Sequence, residues 1–294
     1  MKTASQARYS IYTHPNYRIL LTVGALLFCL SVSEVAGTVS LEQADLGKRS
    51  LTPLQIEIEK QRQRLSSSEV EERRDALLRI AALRHPDASR VAKSALDDVA
   101  GIVRATAAGA VRWLPPEEGA AALLPLLGDK DEFVRREAAY ALGLTKSRSA
   151  VTSLVERLVK DKKDGVRGAA AVALGQIGDE SAVVSLAQVL SPQASSPGAK
   201  GSKEKNLFVL RAAAVSLGQI GSRAALPALL SALEDESTAD DIRREAARSL
   251  GLIGDPAAEP SLRKVLMARD AYLSLAAHEA LSRISRRQPV RPGQ

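Results

Sequence analysis

Apolar residues recur along most of the chain with the spacing of one face of an α-helix. In one stretch they stand at Val134, Ala138, Ala141 and Leu142, or i, i+4, i+7 and i+8, which indicates an amphipathic helix. A similar sequence motif occurs seven times. We mark each copy by the residue that follows its last leucine-like position. The markers are separated by 31, 31, 32, 43, 33 and 31 residues, which predicts a repeated structural unit. They are Ala81, Arg112, Gly143, Gly175, Gly218, Gly251 and Ser282.

The stretches between these copies carry a second amphipathic pattern, for example at Ala150–Asp161. Each repeat is therefore predicted to be a pair of helices. Asp131, Asp164 and Asp240 precede the second helix, where an N-cap acceptor is expected. Left-handed glycines are expected to end that helix, namely Gly178, Gly221 and Gly254. The predicted fold is all-α, a right-handed α-solenoid of about seven helix pairs.

The sequence motif VRxxAAxALGxIGD in these copies resembles that of HEAT repeats, most closely the short HEAT-like repeats named after phycobilisome lyases. The resemblance covers about residues 69–286 and implies stacked helix pairs. Such repeats occur in scaffolds, adaptors, bilin lyases and some DNA glycosylases. The resemblance therefore indicates the fold and leaves the function open.

The first 37 residues have the character of a targeting segment. Three basic residues and no acidic one precede the apolar run Ile19–Val32. These 14 residues suit a secretory signal, whereas a membrane span needs about 20. Small residues before Thr38 offer a cleavage site, so residues 1–37 are predicted to be a signal peptide. An uncleaved inner-membrane anchor and an organellar transit peptide are the alternatives.

The remaining boundaries follow from composition. Residues 38–68 are expected to form an N-terminal extension with a capping helix that starts at Pro53, and residues 69–287 the solenoid. A Ser-, Pro-, Gly- and Lys-rich insertion at 191–206 accounts for the single long step. Residues 288–294 are expected to be a disordered tail.

Composition narrows the classes of function only modestly. Aromatic residues make up 3% of the chain, which favours helices over a β-sandwich or barrel. The net charge of +7 suits acidic protein surfaces, anionic lipid and nucleic acid about equally. The single cysteine, Cys29, lies in the predicted signal, so a cleaved chain would contain no thiol.

One arginine recurs near the start of the second helix. Leu210 and Ser274 interrupt this column. Its members are expected to pair with aspartates of adjacent turns and so form an internal ladder. The aspartates placed for this pairing are Asp98, Asp131, Asp164 and Asp241. A basic stripe for an anionic partner is the alternative. The column consists of Arg73, Arg104, Arg135, Arg167 and Arg243.

Aromatic residues share another register, two positions before the arginine. They are expected either to act as staples at the helix start or to line one edge of a binding groove. Nearby positions on the helix face, expected to be exposed, would complete such a surface. The candidate partner-binding residues are Phe133, Arg136, Tyr140, Phe208, Arg211, Arg244, Arg248 and Tyr272.

Catalytic constellations are poor in this sequence. Beyond the predicted signal only His85 and His278 remain, on different repeats, and no phosphate-binding motif occurs. No catalytic residue, metal site, cofactor or small-molecule substrate is therefore expected. The sequence favours a non-catalytic, exported bacterial scaffold, periplasmic or secreted, that binds a protein partner, with an acidic one among the candidates. A bilin lyase or isomerase and a nucleic-acid-binding protein are the alternatives; both conflict with export.

Overall fold

The computed structural model describes residues 51–191 and 207–287. The predicted signal peptide, most of the insertion and the tail lie outside the described residues. The chain divides into two compact units, residues 1–56 and 57–294. Of the first unit, residues 51–56 are described; they include the start of helix α1, and the rest of α1 and the later helices lie in the second unit.

The described residues form fourteen α-helices and no strand. The first helices of the seven pairs are α1 (Pro53–Arg64), α3 (Pro86–Ala92), α5 (Pro116–Leu123), α7 (Val151–Lys160), α9 (Val183–Leu190), α11 (Leu226–Glu234) and α13 (Glu259–Lys264). The second helices are α2 (Val70–Leu83), α4 (Gly101–Ala110), α6 (Glu132–Thr145), α8 (Asp164–Ile177), α10 (Leu207–Ile220), α12 (Asp240–Ile253) and α14 (Ala271–Arg287). The predicted all-α solenoid of helix pairs is confirmed.

The helix ends explain where each second helix starts and stops. Asp131 caps α6 by accepting a hydrogen bond from the backbone N–H of Phe133. The N-cap prediction was wrong for Asp164 and Asp240, which are the first residues of α8 and α12 and complement the helix dipole there. Left-handed glycines with φ of 75–76° follow α8, α10 and α12 as predicted, namely Gly178, Gly221 and Gly254.

Small residues bring consecutive second helices close together. A Cβ atom at Gly251 would lie 2.6 Å from the Cα of Ala280 on the next second helix, and one at Gly143 would lie 2.7 Å from the Cα of Ala173. Consecutive second helices contact each other along much of their length, whereas the first helices touch less. The second helices are thus the more closely packed layer, and we call their outward face the inner surface.

The core between the two layers consists of aliphatic side chains from both helices of each pair. Leu142, Leu154, Leu174 and Leu229 are fully buried. No helix among the described residues is both long and apolar enough to span a bilayer.

Two glycines on second helices should respond to alanine with opposite signs. Gly251→Ala is expected to lower the free energy of unfolding by about 1–3 kcal/mol, because the new methyl group meets backbone of α14. Gly109→Ala should raise it by up to about 1 kcal/mol, because no atom lies within 4 Å of the new Cβ and alanine has the higher helix propensity. Urea unfolding followed by circular dichroism measures both. Equal effects would contradict the close packing at Gly251.

Candidate partner-binding surface

The fourth residue of five second helices is an arginine that points into the turn between the helices of a pair. In the first three repeats its Nε and Nη2 donate hydrogen bonds to both carboxylate oxygens of an aspartate in the next repeat. These distances are 2.7 and 2.8 Å for Arg73 and Asp98, 2.7 and 2.9 Å for Arg104 and Asp129, and 2.8 and 3.2 Å for Arg135 and Asp161. We call each such bidentate arginine–aspartate pair a rung.

The rungs are joined into a chain through the backbone. Nη1 of Arg104 donates to the carbonyl oxygen of Asp98 at 2.7 Å, and Nη1 of Arg135 donates to that of Asp129 at 2.8 Å. Each of these aspartates thus binds the arginine of the preceding repeat through its carboxylate and that of its own repeat through its carbonyl. Four consecutive turns are therefore tied along one edge of the solenoid, which we call the turn edge.

The rungs are largely buried, with side chains 3–14% exposed, and are electrostatically favourable. Hydrogen bonding to Arg73 lowers the pKa of Asp98 despite the opposing effect of burial, and Arg104 does the same for Asp129. At Asp161 burial acts to raise the pKa, but Arg135 and a backbone N–H outweigh it and the pKa is lowered. These three arginines are engaged inside the fold and do not form an exposed basic stripe.

The aspartates of the rungs differ in part from those expected. Asp98 was placed correctly, but Asp129 and Asp161 occupy the positions expected for Asp131 and Asp164. The rung aspartates immediately follow or lie close to the end of the first helix, where they reach the preceding repeat. Aspartates two or three residues further on are committed to the start of the second helix. Asp241, for its part, accepts a hydrogen bond from the backbone N–H of Ile242.

The later repeats lack complete rungs within the described part of the chain. Nε of Arg167 donates to the carbonyl of Leu158 at 3.0 Å, and Nε of Arg243 donates to that of Leu233 at 3.1 Å. At three successive boundaries between repeats, one of the two residues that a rung needs, the arginine or the aspartate, is replaced. The mismatched positions are Arg167 with Ser191, Leu210 with Asp235, and Arg243 with Ala268.

The inner surface is formed by four positions of each second helix, separated by three, four and four residues. On α6, α8 and α10 most of these positions are apolar or glycine, whereas on α12 three of the four are charged. They are Phe133, Arg136, Tyr140 and Leu144 on α6; Gly165, Gly168, Val172 and Gln176 on α8; Phe208, Arg211, Val215 and Gln219 on α10; and Asp241, Arg244, Arg248 and Leu252 on α12.

All eight candidate residues lie on this inner surface. Phe208 and Tyr272 are 46% and 65% exposed, and Arg211 and Arg248 are also exposed. The other four are half-buried, so Arg136, Tyr140 and Arg244 are less exposed than expected. Burial accordingly raises the pKa of the Tyr140 phenol. The half-buried candidates are Phe133, Arg136, Tyr140 and Arg244.

The aromatic residues are in contact with neighbouring residues and remain partly exposed. The ring of Phe208 contacts Gly168 on the preceding second helix, where a Cβ would collide with it. The guanidinium of Arg244 lies 5.2 Å from the ring centroid of Tyr272, and that of Arg136 lies 4.7 Å from that of Phe133. The column thus contains aromatic rings in contact with a glycine or an arginine, as Phe208, Phe133 and Tyr272 show.

The arginines of the inner surface have acidic neighbours. Nε of Arg136 lies 3.2 Å from Glu137, and Nη1 of Arg248 lies 2.9 Å from Glu245. Nε of Arg244 donates to Asp270 at 2.6 Å, which lowers the pKa of this aspartate. Arg211 is 3.7 Å from Glu245. The surface is thus close to neutral and offers mixed apolar and paired polar contacts.

Several inner-surface residues were missed in the sequence. Val172 and Val215 share the register of Tyr140, and this repeat register was the available signal. Gly168 replaces the arginine found at this position in α6, α10 and α12. Its importance depends on Phe208 of the next repeat, so the local sequence pattern gave no sign of it.

Metal-binding clusters were also sought. No group of three or more His, Cys, Asp and Glu side chains in residues 51–191 and 207–287 is arranged to hold a metal ion. His85 accepts a hydrogen bond from the backbone N–H of Asp87 at the start of α3, and His278 is exposed on α14.

Helix pairs stacked with their second helices on one side define a helical-repeat solenoid. The family model of HEAT repeats matches residues 58–143, 120–197 and 201–282. These matches cover more than half of the chain, and the protein belongs to the HEAT repeat family. No curated protein matches it.

Several solved structures are similar to this chain at low sequence identity. An engineered protein is 23% identical, with a TM-score of 0.51 over 78% of this chain and 68% of its own. The complex of CpcE and CpcF of phycocyanin lyase from Nostoc sp. PCC7120 is 22% identical, with a TM-score of 0.47 over 83% of this chain and 91% of its own. A designed armadillo repeat protein in complex with the peptide (KR)4 is 18% identical, with a TM-score of 0.42 over 76% and 98%.

Removing one member of a rung should destabilise the fold strongly. Arg104→Leu is expected to lower the free energy of unfolding by about 3–5 kcal/mol, because Asp129 is left buried without its cation. Arg243→Leu is the matched control. It should cost clearly less, because the nearest carboxylate oxygen of Asp240 is 3.8 Å from the Arg243 guanidinium.

Urea unfolding at pH 7 measures both variants. Adding Asp129→Ala to Arg104→Leu should recover part of the loss, because no uncompensated charge is then buried. Equal losses in the two single variants would show that the carboxylate contributes little to the rung.

Proposed function

We propose that this protein is a non-catalytic scaffold that binds a protein partner along the inner surface of its solenoid. The observation that carries the proposal is the run of apolar and aromatic side chains on consecutive second helices. Tyr140, Val172 and Val215 share one register at its centre, and Phe133 and Phe208 stand along the turn edge. Aromatic anchors of this kind supply much of the binding energy at protein interfaces.

The charge distribution supports a protein partner over a nucleic acid. A polyanion is held by cations that exchange their counterions for phosphates. Here the ladder arginines are engaged in buried rungs, and Arg136, Arg244 and Arg248 have acidic neighbours within 3.2 Å. A neutral surface with apolar centres favours a partner that buries mixed side chains, and a strongly acidic partner is not required.

We further propose that binding takes place outside the cytoplasm. This part rests on the N-terminal sequence alone, in which basic residues precede the 14-residue apolar run Ile19–Val32. An exported chain would meet envelope or extracellular proteins. Export also argues against a bilin lyase, which would need cytoplasmic tetrapyrrole.

The aromatic turn edge can be tested by a double substitution. Phe133→Asp with Phe208→Asp is expected to weaken capture of the partner about ten-fold or more, because interface anchors of this type contribute about 2 kcal/mol or more. Val184→Asp is the matched control, since Val184 is 65% exposed on a first helix. Partner capture is quantified by cross-linking in the native host followed by mass spectrometry. Circular dichroism should show unchanged helicity in both variants, and undiminished capture by the double variant would reject this edge as a binding site.

Export has its own test. The mature protein is expected to begin near Thr38 and to occur in the periplasmic or secreted fraction, because small residues precede this position. Fractionation of the native host with mass-spectrometric determination of the N-terminus measures this. An intact N-terminus in the membrane fraction would indicate the anchored alternative, and one in the cytoplasm would overturn export.

A further inference from the structure

We propose that Arg243, at the boundary between the sixth and seventh repeats, binds a carboxylate of the protein partner, supplied by an aspartate or glutamate side chain. In the first three repeats the arginine at the same helix position holds a carboxylate of the next repeat in a rung. At this later boundary Ala268 stands where the rung needs its aspartate. That the carboxylate comes from a protein rests on the proposed function.

The backbone at Ala268 already has the conformation of a rung aspartate. Ala268 follows a short 3₁₀ segment after the first helix of its repeat, with φ −60° and ψ 148°. Asp129 follows such a segment in the third repeat, with φ −59° and ψ 145°. Asp161 is similar, with φ −66° and ψ 139°. Position 268 thus differs from a rung position in its side chain, which carries no carboxylate.

The guanidinium of Arg243 is held in place but has donors to spare. Its side chain is 13% exposed, and its Nε donates to the carbonyl of Leu233 at 3.1 Å. Neither Nη atom donates a hydrogen bond within the described part of the chain, and Nη1 lies 3.8 Å from the nearest oxygen of Asp240. The two Nη groups carry four N–H donors, of which two can bind one carboxylate side by side.

Arg243 lines a cleft of about 810 Å³ between the turns of the sixth and seventh repeats. Lys264, Met267 and Arg269 of the seventh repeat also line it, and Met267 is 92% exposed. A water molecule takes up about 30 Å³ in the liquid, so a small free carboxylate would leave most of this cleft to solvent. An acidic side chain of a protein, with the residues around it, fills more of the cleft and covers Met267.

The charges of the cleft favour one carboxylate over a phosphate group. Two of its acids already have cations, namely Glu234 with Lys264 at 3.4 Å and Asp270 with Arg244 at 2.6 Å. Glu236 and Asp240 stand opposite Arg243 and the exposed Arg269 in the same lining. A phosphate ester with nearly two negative charges is repelled more strongly by these two acids than a carboxylate with one.

The site can be tested with acetate as the probe on the full chain. The Nε–H signal of Arg243, assigned in ¹H–¹⁵N spectra with Arg243→Leu, should shift saturably when acetate replaces chloride at constant ionic strength. Half-saturation is expected at about 10–100 mM, as for one charged bidentate contact. Ala268→Asp supplies a carboxylate within the chain and should weaken the response about ten-fold or more. Ala268→Asn is the matched control and should keep it.

Capped pentapeptides test whether the carboxylate belongs to a protein. A peptide with a central glutamate between apolar residues should reach half-saturation at a concentration about ten-fold lower than acetate, because its flanking residues bury apolar surface in the cleft. A central glutamine should abolish the gain, and a central phosphoserine should bind more weakly than glutamate.

A missing response to acetate, or a response that survives Ala268→Asp undiminished, would overturn the site. A glutamate peptide that binds no more tightly than acetate would overturn the protein source, and a tighter phosphoserine peptide would overturn the preference for carboxylate. If Ala268→Asp does not fold, Arg243→Leu takes its place, and the backbone amide signals of Met267 and Arg269 must then lose their response to acetate. These titrations need no natural partner, so their failure is distinct from a failed capture test on Phe133 and Phe208.

Discussion

The buried pairing of one arginine with one aspartate of the next repeat fixes the spacing of the turns in the first half of the solenoid. A helix pair buries only part of its apolar surface, so its stability depends on the neighbouring pair. Apolar packing is not directional and leaves the relative angle of two repeats weakly defined. The two-pronged geometry between Arg104 and Asp129 defines it, because guanidinium and carboxylate must be coplanar to make both hydrogen bonds.

The close approach of the second helices provides the other half of this constraint. Gly143, Gly218 and Gly251 allow the backbone of the next second helix to approach closely, and Gly175 allows the side chain of Ser216 to do so. The rungs tie the beginnings of these helices and the glycines set the distance near their ends. In the later repeats the described residues contain no complete rung, whereas these glycines remain.

Much of the fold could be predicted from the sequence because it depends on short-range periodicity. The repeats, the helix pairs and the left-handed glycines all followed from spacing. The rung partners were predicted less well, since Asp129 and Asp131 lie in one turn and both suit a helix start. Which of them reaches Arg104 depends on the approach of two repeats in three dimensions. The packing of Phe208 on Gly168 could not be predicted for the same reason, because the two residues belong to different repeats.

Neighbouring arginines illustrate how one residue type serves two roles in this fold. Arg135 points into the turn and holds Asp161, whereas Arg136, the next residue, stacks on Phe133 at the inner surface. Helical geometry turns consecutive side chains by about 100° and separates the two roles. Whether an arginine in the register of Arg135 forms a rung depends on an aspartate about 26 residues further along, after the next first helix. Arginine content alone therefore says little about anion binding here, because each arginine must first be matched with its acid.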